Sequence, residues 1–236
     1  MRYNLLKYFI IRIYKQMTTE KNDLIYLPVS LGEAIDKLTI LDIKLDKIKD
    51  HRRSDVQKEY DLLYENLKEF LVKYNDLYQS MKKVNLIIWN MMDVLRDGDI
   101  SNEEYLKVCK ECVEYNDIRF RVKNKINYAA KSLLKEQKSY KVNRLLIEIA
   151  DNIINVEDFI RPIKYFSFFY DEIVIKHREN SSLKGAFYCD PTIVFINIEC
   201  SKINSNKKYE FKNSSFDKND INLIFEVNDE MLNKLL

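Results

Sequence analysis

From Ser30 to about Tyr140, apolar residues recur at three- and four-residue spacing. Beyond that point the pattern breaks into short β-branched runs. The spacing predicts three helices, over about 30–50, 54–97 and 101–136. The first opens on Ser30 with Glu33 three residues later, a capping box, and Val29 and Ala34 stand where a hydrophobic staple would. Its stripe runs Leu31, Ile35, Leu38, Leu41, Leu45, Ile48, and Ile40 and Ile43 widen it toward two neighbours. The second starts at the box Ser54–Gln57 and keeps an apolar seam from Val56 through Leu67, Tyr74 and Met81 to Leu95. Unbroken, it is a rod of roughly 65 Å; a chain reversal near Asn75 would undo that picture. The third opens on Ser101 and Glu104, and its seam from Tyr105 to Leu133 is interrupted only by Arg119. Asp97-Gly98 stops the second helix, and the short connection after it favours an antiparallel hairpin.

The expected fold class is therefore mainly α. An elongated antiparallel three-helix, coiled-coil-like bundle over 26–140 precedes a small α/β, or mostly β, domain over 141–236. Leu145–Ala150, Ile173–Ile175, Thr192–Ile198 and Leu223–Val227 read as strands, and Ser201–Asp220 as loop. Asn155–Tyr170 reads as partly helical, broken by Pro162.

Composition narrows the chemistry. Gly and Pro number three each, so neither a Walker-type loop nor a GxGxxG turn can be built. A net charge of +2, with basic and acidic residues interspersed, gives no global field for nucleic acid, and none is expected as a partner. No run approaches the roughly 20 apolar residues that cross a bilayer. Residues 1–16 carry Arg2, Lys7, Arg12 and Lys15 and no acid, interleaved with apolar residues. Within the amphipathic extension 1–25 they read as a packed or frayed segment, an addition before a start at Met17, or, least favoured, a membrane-contacting helix. Four cysteines, far from a disulfide framework, fit reduced thiols and a cytoplasmic protein.

The run Pro28-Val29-Ser30-Leu31-Gly32-Glu33-Ala34-Ile35-Asp36-Lys37-Leu38-Thr39-Ile40-Leu41-Asp42-Ile43-Lys44 resembles the opening of a family of uncharacterised proteins that begin PVSxGExxDKxTILEIK. Ile88-Trp89, and Tyr115-Asn116-Asp117-Ile118-Arg119 continuing to Lys123 and Ile126-Asn127, extend the likeness over about 26–140. Leu38 and Asp42 depart mildly from the pattern. Members of that family occur in bacteria, often beside genes for surface-polysaccharide assembly, and in large DNA viruses. The resemblance implies a helical module associated with glycan assembly, in the host cytoplasm if viral, and carries no activity with it.

Folding the three helices back on one another gathers polar motif residues. Glu33 and Asp36 fall level with about 71 and 68 of the middle helix, and Lys123 and Asn127 with about 74 and 70. Glu33, Asp36, Lys37, Asn116, Arg119, Lys123 and Asn127 are thus the candidate polar cluster. A buried layer that fixes register is favoured over an anion or partner site. No catalytic residue, metal ligand or cofactor is assigned. Cys109 and Cys112 make a CxxC, but in mid-helix, away from the N-terminus that activates a redox thiol. Asp97-Gly98-Asp99 spells a glycosyltransferase-like DxD in a place where a turn wants Asp and Gly anyway. His51 and His177 form no triad, Trp89 is expected to pack near Val108, and the aromatic run Tyr165–Tyr170 reads as core. The function expected is a non-enzymatic interaction or scaffold protein that binds a protein partner or itself. The alternative is a glycosyltransferase-related enzyme or accessory with its site in the C-terminal domain or at the junction.

Overall fold

The computed structural model describes residues 26–139, 141–149, 159–177, 181–187, 190–196 and 203–211. The extension 1–25, the expected strand Leu223–Val227, Cys189 and Cys200 lie outside them.

Among the described residues, four helices, not three, make up the first part: α1 (Leu31–Lys47), α2 (Arg53–Lys73), α3 (Asn75–Asp97) and α4 (Asn102–Ala129). At two of the three expected capping boxes the N-cap serine caps its helix, with Ser30 Oγ accepting from the Glu33 N–H and Ser101 Oγ from the Glu104 N–H, each at 3.2 Å. The third does not. Asp50 accepts from the Arg52 N–H and forks onto its guanidinium, so the turn closes early and α2 starts at Arg53. Ser54 is already inside the helix and donates its hydroxyl back to the His51 carbonyl at 3.0 Å.

The expected continuous rod over 54–97 breaks at Tyr74, whose φ of −129° and ψ of 43° leave the helical region. Lys37 pairs with Glu59 on α2 at 2.5 Å, and Asp36 accepts from Asn85 on α3 at 2.8 Å. A straight helix would hold residues 59 and 85 about 39 Å apart. Their partners are neighbours on one turn of α1, so the chain doubles back at Tyr74. The seam pattern reads through the break because every seam position stays at least half-buried on either side of it.

The helix expected to reach 136 stops at Ala129. Lys131 takes a left-handed φ of 52°, with Ser132 N–H bonded to the Asn127 carbonyl at 2.7 Å and Lys131 N–H to that of Tyr128 at 3.0 Å. This is a Schellman end with Lys in the place Gly usually fills. Leu133, an expected seam residue, is consequently 95% exposed.

The second part is α/β, not mostly β. Four strands, β1 (Arg144–Ile149), β2 (Glu172–Lys176), β3 (Ile193–Ile196) and β4 (Lys207–Phe211), form one parallel sheet in the order β3-β2-β1-β4. Short helices α5 (Ile160–Phe166) and α6 (Ser181–Ala186) connect the first three. Pro162 sits in the first turn of α5, where its missing N–H costs nothing. β4 falls in the stretch read as loop, because Lys207, Lys208 and Glu210 mask its alternation. One apolar core runs through both parts, joining Ile35, Met81 and Ile126 to Leu145, Phe166 and Ile173.

Candidate functional site

The polar cluster assembles directly between α1 and α4. Asp36 accepts from Arg119 through both oxygens, Nε at 2.8 Å and Nη2 at 2.5 Å, a bidentate fork. Asn85 donates to the same Asp36 oxygen and to Thr39 Oγ1, both at 2.8 Å. The Asp36 side chain is only 4% exposed. One turn away, Lys123 bonds Glu33 at 2.6 Å and also Glu136 from the loop after α4. Asn127 Oδ1 accepts from the Gly32 N–H at 2.7 Å, and Ser132 Oγ from the Leu31 N–H at 3.3 Å. With Ser30 these side chains occupy the free N–H groups that open α1, so its positive end is plugged by the protein itself.

Five of the seven candidate residues therefore meet: Glu33, Asp36, Arg119, Lys123 and Asn127. Lys37 points outward to Glu59 in an exposed pair, and Asn116 is exposed. Paired charges shift one another. The Asp36 hydrogen bond, against the opposing effect of burial, raises the Arg119 pKa. Burial would lower that of Lys123, but Glu136 and Glu33 outweigh it and raise it. Burial would likewise raise Glu136, yet Lys123 and then Lys138 hold its carboxyl below the ordinary 4.5. A depressed carboxyl contributes stability that is whole above 4.5 and lost as pH falls through the folded value. Glu136→Gln should accordingly flatten the loss of stability in acid, read as urea midpoints between about pH 3 and pH 6. An unchanged acid limb would show that this contact does not form.

The sequence reading missed two residues of comparable importance, Arg121 and Lys125. In a helix of about 100° per residue, 119 and 123 share one face, and 121 and 125 share nearly the opposite one. Arg121 pairs with Asp171 at 2.9 Å and donates to the Phe168 carbonyl at 3.0 Å. Lys125 donates to Asp190 and to Ser167 Oγ, each at 2.6 Å. Burial pulls the Lys125 pKa below the lysine range, against the raising effect of Asp190. Asp171 immediately precedes β2, and Asp190 lies just before β3, so α4 docks at the amino-terminal edge of the sheet. The available signal was four cations at every second position of one helix, from 119 to 125.

Other motifs resolve locally. Cys109 and Cys112 are free thiols in mid-helix, and burial, then Cys109, raises the Cys112 pKa, the reverse of a reactive thiol. Asp97-Gly98-Asp99 forms the turn after α3, with Gly98 at a φ of 71°. Trp89 lies half-buried on α3. Tyr165 and Phe166 are core residues. Among the described residues no group of three His, Cys, Asp or Glu is placed to hold a metal ion, and no helix is long and apolar enough to cross a membrane.

Fold and layer together define a class of protein: a helical bundle keyed by buried ion pairs, one of whose helices also carries a parallel sheet. The chain belongs to a family of unknown function (DUF6165), whose model matches residues 25–152 and so takes in the bundle and β1. No curated protein and no solved structure is matched.

Proposed function

We propose that this protein is a non-enzymatic scaffold in which the bundle and the sheet are held in fixed relation by α4. The observation that carries the reading is the distribution of α4's cations. Arg119 and Lys123 are engaged by acids of α1 and of the following loop, Arg121 and Lys125 by acids beside the strands. These charges set geometry between elements and are turned away from solvent. The outer surfaces remain for partners, with Leu62 on α2 and Leu106 and Val113 on α4 exposed. The setting follows the family resemblance: cytoplasmic, beside surface-polysaccharide assembly in a bacterium or a large DNA virus, with a protein partner or a second copy bound.

One observation favours a second reading, an enzyme or accessory of glycan assembly. Glu148, near the carboxyl end of β1, bonds Lys176 at 3.1 Å and Lys208 at 2.8 Å across the point where the strand order reverses. Parallel sheets bind ligands at that edge, opposite the one α4 occupies. A thermal-shift series with nucleotide sugars and divalent metal, beside sedimentation, separates the readings. A scaffold should show an oligomer or a large hydrodynamic radius and no shift. A rise of several degrees with one ligand, abolished by Lys176→Ala, would replace the first reading with the second.

A further inference from the structure

The reversal at Tyr74 lacks the residues that fix the other turns of the bundle. Asp50 holds the turn before α2, Gly98 takes a left-handed φ in the turn after α3, and Ser30 and Ser101 cap α1 and α4. At Tyr74, α2 ends without a glycine and α3 begins without a capping side chain. One residue separates the two helices, where about 2–8 are usual between helices of a bundle. The helical bonding also runs up to the break from both sides. Tyr74 N–H bonds the Phe70 carbonyl at 2.9 Å, and Tyr78 N–H bonds the Tyr74 carbonyl at 3.2 Å, each spanning four residues as in an α-helix. The φ and ψ of a single residue therefore decide between a hairpin and a straight helix.

The sequence suits the straight form as well. Leu63, Leu67, Phe70, Leu77, Met81 and Val84 all pack into one core, and their three- and four-residue spacing passes through position 74 without a change of phase. Straightening would carry the α1–α2 hairpin away from α3 and α4 as a unit, since Lys37 pairs with Glu59 and Arg53 donates to the Leu45 carbonyl within it. It would part Asp36 from Asn85 and Arg119, and Gly32 from Asn127. Each half then presents a surface shaped for the other half, and a second copy supplies that half.

We infer that the chain forms an exchanged dimer in which Tyr74 is helical and α2 and α3 run as one helix of about 68 Å. The α1–α2 hairpin of each copy docks on α3 and α4 of the other through the contacts that close the single chain. Because those contacts are the same in both forms, the balance lies at the hinge: helix bonds regained there act against the freedom lost on association. Asn75 and Asp76 favour the hairpin, being suited to the first turn of a helix and poor in its interior. Tyr74 Oη, donating to the Ala129 carbonyl at 3.1 Å, favours it too. The inference makes a second copy the partner of the scaffold reading, but it rests on the hinge and holds equally for an enzyme.

The test is to refold the full chain at low and at near-millimolar concentration and to separate the products by size exclusion, with sedimentation equilibrium for mass. The wild type should give a dimer whose share rises with concentration during refolding and which, once separated, reverts slowly. The double variant Asn75→Ala, Asp76→Ala changes two exposed side chains and should raise the ratio of dimer to monomer at least about five-fold through helix propensity. Asn75→Gly with Asp76→Gly should lower it. Inserting Gly-Ser-Gly between Tyr74 and Asn75 relaxes the reversal and interrupts the straight helix, so that chain should be monomeric with the circular dichroism of the wild type. A wild type that is monomeric at every concentration overturns the inference. So does a dimer that the insertion leaves undiminished, which would belong to an outer surface. Binding of a nucleotide sugar, which would end the scaffold reading, changes neither outcome.

Discussion

Asp36→Ala should destabilise the protein by about 3–5 kcal/mol, among the largest effects of any single substitution. The change strips Arg119 of both carboxylate oxygens and Asn85 of one acceptor, in a site where the carboxylate was almost wholly enclosed. A domain holds only about 5–15 kcal/mol in all, so the variant is expected to populate unfolded chain at moderate temperature. Lys37→Ala, next along the same helix, breaks a pair whose members are both exposed, and should cost under about 1 kcal/mol. The comparison sets a buried ion pair against an exposed one at adjoining positions of the same helix. The double variant Asp36→Leu, Arg119→Met should recover much of the loss, because no charge is then left stranded, and Asn85 keeps Thr39. Urea midpoints with unchanged slope measure all three. A wild-type midpoint for Asp36→Ala would mean that the fork contributes nothing, and the register layer would go with it.

Recovery of stability by the double variant would also sharpen the functional question. A layer that serves register can be replaced by apolar side chains at the cost of orientation between helices. A layer that serves a partner cannot.

The covered face of the helices was largely legible in the sequence, though Tyr105 and Leu133 at the ends of the third seam are exposed, and the path of the chain was not. Apolar spacing says which side is covered, and Leu67, Met81, Val84 and Ile126 are buried as the seams require. It cannot say whether the covering neighbour lies on a straight rod or beside a hairpin. Tyr74 breaks the helix with neither Gly nor Pro, and Lys131 ends α4 where Gly would have announced the stop. The grouping of Glu33, Asp36, Arg119, Lys123 and Asn127 was expected through levels on the middle helix. It survives the break there because α1 meets α4 directly. Arg121 and Lys125 escaped notice because their acids, Asp171 and Asp190, lie about 50 and 65 residues away in loops before strands. No local period connects a helix to such loops.

Gly32→Ala is the second substitution expected to be severe, through space rather than charge. A Cβ at this position would stand 2.6 Å from the Lys123 carbonyl oxygen and 2.9 Å from Asn127 Oδ1. Asn127 can move only by giving up the N–H of Gly32, and the Lys123 carbonyl belongs to helix backbone and cannot swing aside. The opening of α1 must therefore lift away from α4, loosening Lys123 from Glu33 and Arg119 from Asp36 as it goes. A cost of about 2–4 kcal/mol is expected, the sum of overpacking and a lost buried hydrogen bond. Gly185 provides the control. It lies in α6 with open space where a Cβ would stand, so Gly185→Ala should be neutral or stabilising by up to about 1 kcal/mol through helix propensity. Opposite signs for the same chemical change would show that close approach of α1 and α4, and not helix propensity, is what the glycine serves. If Gly32→Ala unfolds at the wild-type midpoint, the two helices do not meet as closely as described, and the paired charges between them lose their geometric basis.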